Sequence, residues 1–303
     1  MKRRQFIQQS SATAVYIGIG SLSLQSFNQQ KTKHITILHT NDVHSHIEPF
    51  PASDSRNANR GGFAKRAGIV EQIRQENPNT LLLDAGDMFQ GTPYFNYFGG
   101  ELEFKLMSMM GYDAATLGNH DFDNSITGLH KVVPHAKFEL LSANYDFTNT
   151  LMHAVVKPYQ IFVKDGVRIG VFGIGIELEG LVDPQMYKET KYNDPVNVAQ
   201  DMSRILNEEE KCDLVICLSH LGYNYKRNPN KISDLKLAAK TKGIDLIIGG
   251  HTHTFLKKPT LVKNIEGKNV LVNQVGWGGL NLGRVDFYLG NKKNTKGKPI
   301  IIQ

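Results

Sequence analysis

Five apolar runs in this chain each end in side chains that bind metals. Thr36-Ile37-Leu38-His39-Thr40 leads into Asn41-Asp42-Val43-His44, and Leu81-Leu82-Leu83 into Asp84-Ala85-Gly86-Asp87. Ala114-Ala115-Thr116-Leu117 leads into Gly118-Asn119-His120-Asp121-Phe122-Asp123. Leu214 to Leu218 leads into Ser219-His220, and Leu246-Ile247-Ile248 into Gly249-Gly250-His251-Thr252-His253. Short apolar runs of this kind read as buried strands, and open α/β sheets present their ligands at the carboxyl ends of such strands. Asp, Asn and His delivered together there suit a dinuclear centre. The mix of carboxylate and imidazole fits Mn, Fe, Co or Zn better than Ca, and a donor set without thiolates argues against a structural zinc site.

The segments between these runs carry helical spacing. Gly62 to Asn77 places Phe63, Ala67, Val70 and Ile73 on one face and stops before Pro78. Glu101 to Met110 reads as a short helix ended by Gly111, and Ser233 to Thr241 as one closed near Gly243. Asp194-Pro195 has the form of an N-cap and first-turn proline, opening a helix with Val198, Met202, Ile205 and Leu206 on one face. Strands interleaved with helices imply an α/β fold. Later strands at Val270-Leu271-Val272 and Arg284 to Leu289, with little helix between them, imply a second sheet packed on the first. The polar loop Asp54 to Gly62 is expected near the site mouth, and Asn291 to Pro299 is expected to be a solvated tail.

Residues 1–30 read as an export signal rather than as fold. Lys2-Arg3-Arg4-Gln5-Phe6 is basic with an arginine pair, and Ala12 to Leu24 is apolar but rich in small residues. This stretch is shorter than the roughly 20 residues a spanning helix needs, and the paired arginines point to a twin-arginine signal and a periplasmic or cell-surface location. The formal net charge of +6 shrinks outside this segment, where 32 basic against 29 acidic residues leave +3. A nearly neutral body with no basic stripe interleaved with aromatics excludes nucleic acid as the expected partner. Cys212 and Cys217, five residues apart on or beside one strand, cannot pair locally and are read as packing residues.

Together, Asp42-x-His44, Gly86-Asp87-x-x-Gln90-Gly91, Gly118-Asn119-His120-Asp121, His220 and Gly250-His251-x-His253 resemble the calcineurin-like metallophosphoesterases. The fuller runs Leu38 to His44, Asn119 to Asp123 and Gly249 to Thr254 are most similar to the catalytic domain of 5'-nucleotidases, and Asn273-Gln274-Val275-Gly276 and Leu282-Gly283-Arg284-Val285 resemble its closing strands. The resemblance implies a four-layer α/β/β/α sandwich in a single catalytic domain over residues 31–290, with a polar tail over 291–303.

Carried over position by position, the resemblance implies that Asp42, His44, Asp87 and His253 hold one divalent ion. Asp87, Asn119, His220 and His251 would hold the other, with Asp87 bridging. On extended segments, residues two apart share a face, so Asp42 with His44, and His251 with His253, are each expected to converge. His120 is implied to contact the phosphate or protonate the leaving oxygen. Asp123 would fix its tautomer; a helix-capping role for Asp121 or Asp123 is the plainer alternative. His39 is expected in the core or behind the ligands, His46 at the site mouth, Asp84 in support of the ligands, and Trp277 either near the site or in the core.

The implied activity is hydrolysis of 5'-nucleotides or related phosphate esters by a metal-activated hydroxide. Alternatives are a 2',3'-cyclic nucleotide phosphodiesterase, a thiosulfohydrolase-like enzyme, or a non-catalytic metal-stabilised interaction subunit. The 5'-nucleotidases carry a second domain that grips the nucleoside, and a separate chain supplying it is an expected partner.

Overall fold

The computed structural model describes residues 32–290 and 294–303, so the expected export signal lies outside the described residues. Among the described residues, the strands form two six-stranded sheets. The first contains β1 (Lys33–Thr40), β2 (Thr80–Asp84), β3 (Ala114–Thr116), β4 (Glu139–Leu141), β13 (Asn281–Leu289) and β14 (Asn294–Ile301), in the order β14-β13-β1-β2-β3-β4. The second contains β6 (Tyr159–Lys164), β7 (Val167–Ile174), β9 (Leu214–Ser219), β10 (Leu246–Gly249), β11 (Thr260–Lys263) and β12 (Asn269–Asn273), in the order β11-β12-β10-β9-β7-β6. A small antiparallel pair joins β5 (Tyr145–Asp146) to β8 (Lys191–Tyr192).

Alternation along the strands builds the layers. Ile35, Ile37, Leu81 and Leu83 point into a shared core with Ile169, Val171, Leu214, Ile216, Leu246 and Ile248. The interleaved Leu38 and Leu82 face the opposite way, toward α1 (Phe63–Glu76), α2 (Pro93–Phe98), α3 (Glu101–Met110) and α4 (Ser125–Val132). Phe172, Val215, Cys217 and Ile247 face α6 (Pro195–Arg204) and α7 (Asp234–Lys240), while the four-residue α5 (Pro184–Tyr187) sits in a connecting loop. Helices, sheet, sheet and helices therefore stack in four layers, as the sequence resemblance implied. The cysteines are both free, with Cys217 buried.

The helices end where the local chemistry dictates. Asp194 caps α6 by accepting the Asn197 N–H at 2.8 Å, and Pro195 fills the first turn. Ile205 and Leu206 lie in a wider π-turn beyond that helix rather than within it. Among the described residues, no helix is long and apolar enough to cross a membrane.

One expectation is overturned. Residues 294–301 are an edge strand, not a solvated tail: β14 pairs antiparallel with β13 from Asn281↔Ile301 to Tyr288↔Asn294. Its lysines and proline, which suggested solvation, are the residues that protect a sheet edge from further pairing. Ile302 follows it, fully buried in the core cluster that also holds α1 residues.

Parallel pairing aligns the carboxyl ends of β1, β2 and β3 in one sheet and of β9 and β10 in the other, and the donors that follow these ends meet between the two sheets. These are the five runs that end in ligand residues.

Candidate metal centre

The strand-end loops bring the predicted donors into two adjacent clusters. Donor atoms of Asp42, His44 and His253 lie within 4.8 Å of one another, as do those of Asp87, His220 and His251. The clusters adjoin: Asp87 Oδ2 is 3.0 Å from His220 Nε2 and 3.9 Å from His44 Nε2. Asp42 Oδ1 is 3.4 Å from His253 Nε2 and 3.9 Å from His220 Nε2. Asn119 Oδ1 stands 2.9 Å from His251 Nδ1, beside the second cluster.

The convergence is not produced by extended segments, as expected from spacing. Asp42, His44, Asp87, His251 and His253 all have φ between 50° and 69°. Non-glycine residues adopt this left-handed region at a cost, and Asp and His bear it better than most. His251 and His253 accordingly separate, one to each cluster. Bonds across the loops hold the strained backbone in place: Asp42 N–H donates to Gly86 O at 2.9 Å, His44 N–H to Asp87 O at 3.0 Å, and Ser45 N–H to Met88 O at 3.0 Å. Such close approach requires glycine at two positions. A Cβ on Gly86 would strike Gly118 N and His220 Nδ1, and one on Gly91 would strike His44 O.

Asp121 is the third fastening. Its carboxylate accepts backbone N–H groups from Gly118, Asp87, Met88 and Phe89 at 2.8–3.2 Å. It locks the loop after β2 to the loop after β3, a stronger role than the helix cap weighed from sequence. Asp84 accepts from Thr40 Oγ1 and Gly86 N and sits behind the ligands, where burial pushes it up to about 6. His39 is a fully buried core residue, 2.8 Å from Asn273 Nδ2, with burial lowering it to about 3.

The donors present the lone pairs that cations need. His44 Nδ1 faces the Phe89 carbonyl at 3.3 Å and His220 Nδ1 the Ala85 carbonyl at 2.7 Å, so each donates there and turns Nε2 into the site. His220 Nε2 then lies buried without a hydrogen-bond partner, beside a carboxylate. Burial alone would lower His220, yet Asp87 and Asp42 raise it to about 10, so the pocket stabilises positive charge at that spot. Burial holds His44 below its ordinary value and His251 at about 4, which keeps both imidazoles in the neutral form that ligates. Burial would raise Asp87, but His220, His44 and His120 hold it ionised below the usual carboxylate range. Orphaned nitrogen, ionised carboxylates and neutral imidazoles together fit two divalent metals.

His120 lies at the open edge of the clusters, 39% exposed, with Nδ1 2.7 Å from Asp123 Oδ2. That hydrogen bond outweighs partial burial and raises the imidazole above its ordinary value. The His120 N–H donates to Asp87 Oδ1 at 2.8 Å, which ties its position to the ligand loop.

Sequence reasoning missed several supporting residues. Asn41 donates to Asp42 Oδ2 and Gly276 O, both at 2.6 Å, and accepts from Val275 N. Gln274 accepts from Thr254 N and bonds Gly250 O. Asp234, buried and pushed up to about 8 by that burial, accepts from Ser219 Oγ. Asn41 and Gln274 lay inside the recognised motifs, and their amide side chains at strand ends were the available signal. Trp277, open between site and core from sequence, stacks on His253, and His46 packs against it at the mouth.

Two sheets whose strand ends converge on paired His-carboxylate clusters define a metal-dependent hydrolase. The calcineurin-like phosphoesterase model matches residues 35–255, and the chain belongs to that family, whose members are metal-dependent phosphoric ester hydrolases. It is 34% identical over 292 residues to the trifunctional nucleotide phosphoesterase YfkN of Bacillus subtilis, covering 85% of this chain and 18% of that protein. It is 34% identical over 300 residues to rat 5'-nucleotidase, covering 90% of this chain and 50% of the relative. A 5'-nucleotidase precursor from Thermus thermophilus superposes with a TM-score of 0.79 at 32% identity, covering 89% of this chain and 55% of the other. The chain thus spans about half the length, or less, of these relatives.

Proposed function

We propose that this protein hydrolyses 5'-nucleotides or related phosphate esters, with Asp42, His44, Asp87 and His253 holding one divalent metal and Asp87, Asn119, His220 and His251 the other. The observation that carries the reading is the placement of Asp87 Oδ2 between the clusters, 3.0 Å from His220 Nε2 and 3.9 Å from His44 Nε2, with the His120–Asp123 pair beside it. The names of the similar proteins, nucleotide phosphoesterase and 5'-nucleotidase, support the substrate class.

Two bound divalent ions supply Lewis acidity toward the phosphoryl oxygens and a more acidic water for attack. The remaining work falls to the chain's own residues. Asp87 and Asp42 neutralise the ions, and the Phe89 and Ala85 carbonyls aim His44 and His220. His120, whose protonated form the Asp123 hydrogen bond favours, donates from Nε2 to a phosphoryl oxygen or to the departing alkoxide. Its exposed edge leaves room for substrate.

His253 and His120 side chains are 40% and 39% exposed, so the phosphate site opens broadly to solvent. Contacts to the nucleoside are proposed to come from outside residues 32–303, on this or a separate polypeptide. The basic, small-residue-rich start of the chain supports export by a twin-arginine route to the periplasm or cell surface, and fractionation of cells expressing the arginine-pair variant would test it.

The deciding experiment is phosphate release from AMP, a 2',3'-cyclic nucleotide, UDP-glucose and bis-p-nitrophenyl phosphate, with and without chelator. Chelator-sensitive turnover of AMP supports the nucleotidase reading. Turnover of the cyclic nucleotide alone replaces it with a phosphodiesterase. No turnover of any ester by metal-loaded protein would refute phosphoester hydrolysis.

A further inference from the structure

The histidines of the two clusters are not held alike. His44 and His220 each donate Nδ1–H to a backbone carbonyl, the usual means of fixing a ligand's ring and tautomer. His253 makes no such bond among the described residues. Its Nε2 faces the cluster, 3.0 Å from His44 Nε2 and 3.4 Å from Asp42 Oδ1. It is also the most exposed donor of its cluster. Its ring lies instead nearly parallel to the Trp277 indole, with centroids 5.9 Å apart and planes 16° from each other.

The indole is itself firmly placed. His46 and Phe50 meet it edge-on at 5.2 and 5.6 Å, and their own rings stack at 4.7 Å. The backbone on either side of Trp277 is tied to this same cluster. Gly276 N–H donates to Thr254 O at 3.0 Å, next to His253, and Gly278 N–H donates to Asp42 O at 2.7 Å. Asn41 spans the remaining gap, bonding both Asp42 and Gly276. The loop that carries Trp277 is therefore built onto the Asp42 backbone and the residue after His253, while Gln274 before it bonds Gly250 beside His251; the ring contact of Trp277 itself falls on His253.

We infer that Trp277 is a positioning residue for the Asp42–His44–His253 metal site, its indole face fixing the His253 imidazole where His44 and His220 use a carbonyl. Offset stacking restricts the tilt of a ring that is otherwise 40% exposed. Loss of a partner that orients a ligand weakens metal binding by about 10–100-fold. The effect falls on one site of the two. The inference rests on the reading of His253 as a ligand.

Trp277 is the only tryptophan of the chain, so its emission reports this site directly. The test is titration of the full-length, metal-stripped protein with Mn2+ or Co2+, followed by calorimetry and, in the wild type, by tryptophan emission. Two binding phases are expected, with emission changing in one. Trp277→Phe, which keeps a flat ring, should bind both ions within about 3-fold of wild type. Trp277→Leu, which fills space without an aromatic face, should weaken one phase by about 10–100-fold and leave the other unchanged. Wild-type affinity in both phases of Trp277→Leu would overturn the inference. So would equal weakening of both phases with a lowered Tm, which would mark general loosening. His253→Ala separates the two readings: it should abolish the phase that Trp277→Leu weakens, and two intact phases in it would instead remove His253 from the ligand set.

Discussion

His220 and Asp87 face each other across 3.0 Å at the buried floor of the site, Nε2 against Oδ2, with the imidazole's other nitrogen committed to the Ala85 carbonyl. Neither residue has water to turn to, and the same carboxylate reaches toward His44. Replacing Asp87 by Asn removes negative charge shared by both clusters. Metal analysis of Asp87→Asn should show loss of both ions, and phosphate release should fall by more than about 100-fold, beyond what loss of a merely supporting partner costs. Retention of two ions with wild-type turnover would end the bridging assignment.

His120→Asn separates chemistry from metal binding. The His120 side chain bonds Asp123 and meets the His44 ring only edge-on at 5.4 Å, while its tie to Asp87 is through the backbone, so Asn there should leave metal content at the wild-type level. Turnover should fall by about 10²–10⁴-fold, the range for a lost general acid. Asp123→Asn should fall less, since the imidazole remains and only its protonation and orientation suffer. Equal metal content and unchanged turnover in both variants would exclude the pair from catalysis.

Much of this was legible in the chain before any coordinate. Asp42, His44, Asp87, Asn119, His220, His251 and His253 announce themselves because residue type and strand-end position coincide five times, and parallel strands send such ends to one side. The conformation that brings them together was not legible. Left-handed φ at Asp42, His44, Asp87, His251 and His253 is imposed by bonds between loops distant in sequence, such as Asp42 N–H to Gly86 O, and no local pattern encodes it. Asp121 illustrates the same limit: its spacing fits a helix cap, and only the fold reveals four backbone donors around it. Trp277 sits among glycines with no periodicity to assign its face. The lysine-rich segment before Ile302 looked solvated because an edge strand and a polar tail share a composition.

Ile302 gives that correction a measurable consequence. It is fully buried in the core cluster that holds Leu282 and the α1 residues Phe63, Val70 and Ile73, and its backbone bonds Leu280 and Gly61. A residue in a solvated tail could be truncated at no cost, whereas a core isoleucine cut to alanine costs about 2–5 kcal/mol. Chemical denaturation of Ile302→Ala should show that loss with an unchanged m-value. A difference below about 0.5 kcal/mol, the range of surface substitutions, would restore the tail reading.

Asp286 on β13 offers a test in pH. Its carboxylate accepts from Arg284 Nε at 2.9 Å and Thr36 Oγ1 at 2.7 Å, and His34 Nε2 lies 2.9 Å away. Burial opposes ionisation there, but these donors prevail and hold the group below its ordinary value of 3.8. A depressed carboxylate stabilises the fold above its unfolded pKa and loses that contribution as pH falls through the folded one. Partial exposure screens the interaction, so about 1 kcal/mol is expected at neutral pH, equivalent to roughly 2–4 °C in a domain of this size. Thermal melts of metal-free wild type and Asp286→Asn should therefore differ by that amount at pH 7, keep that difference down to the ordinary value of 3.8, and converge only as pH falls below it through the depressed folded-state value. A gap that stays constant from pH 7 to pH 3 would show that shape, not charge, is what Asp286 contributes between β1 and β13.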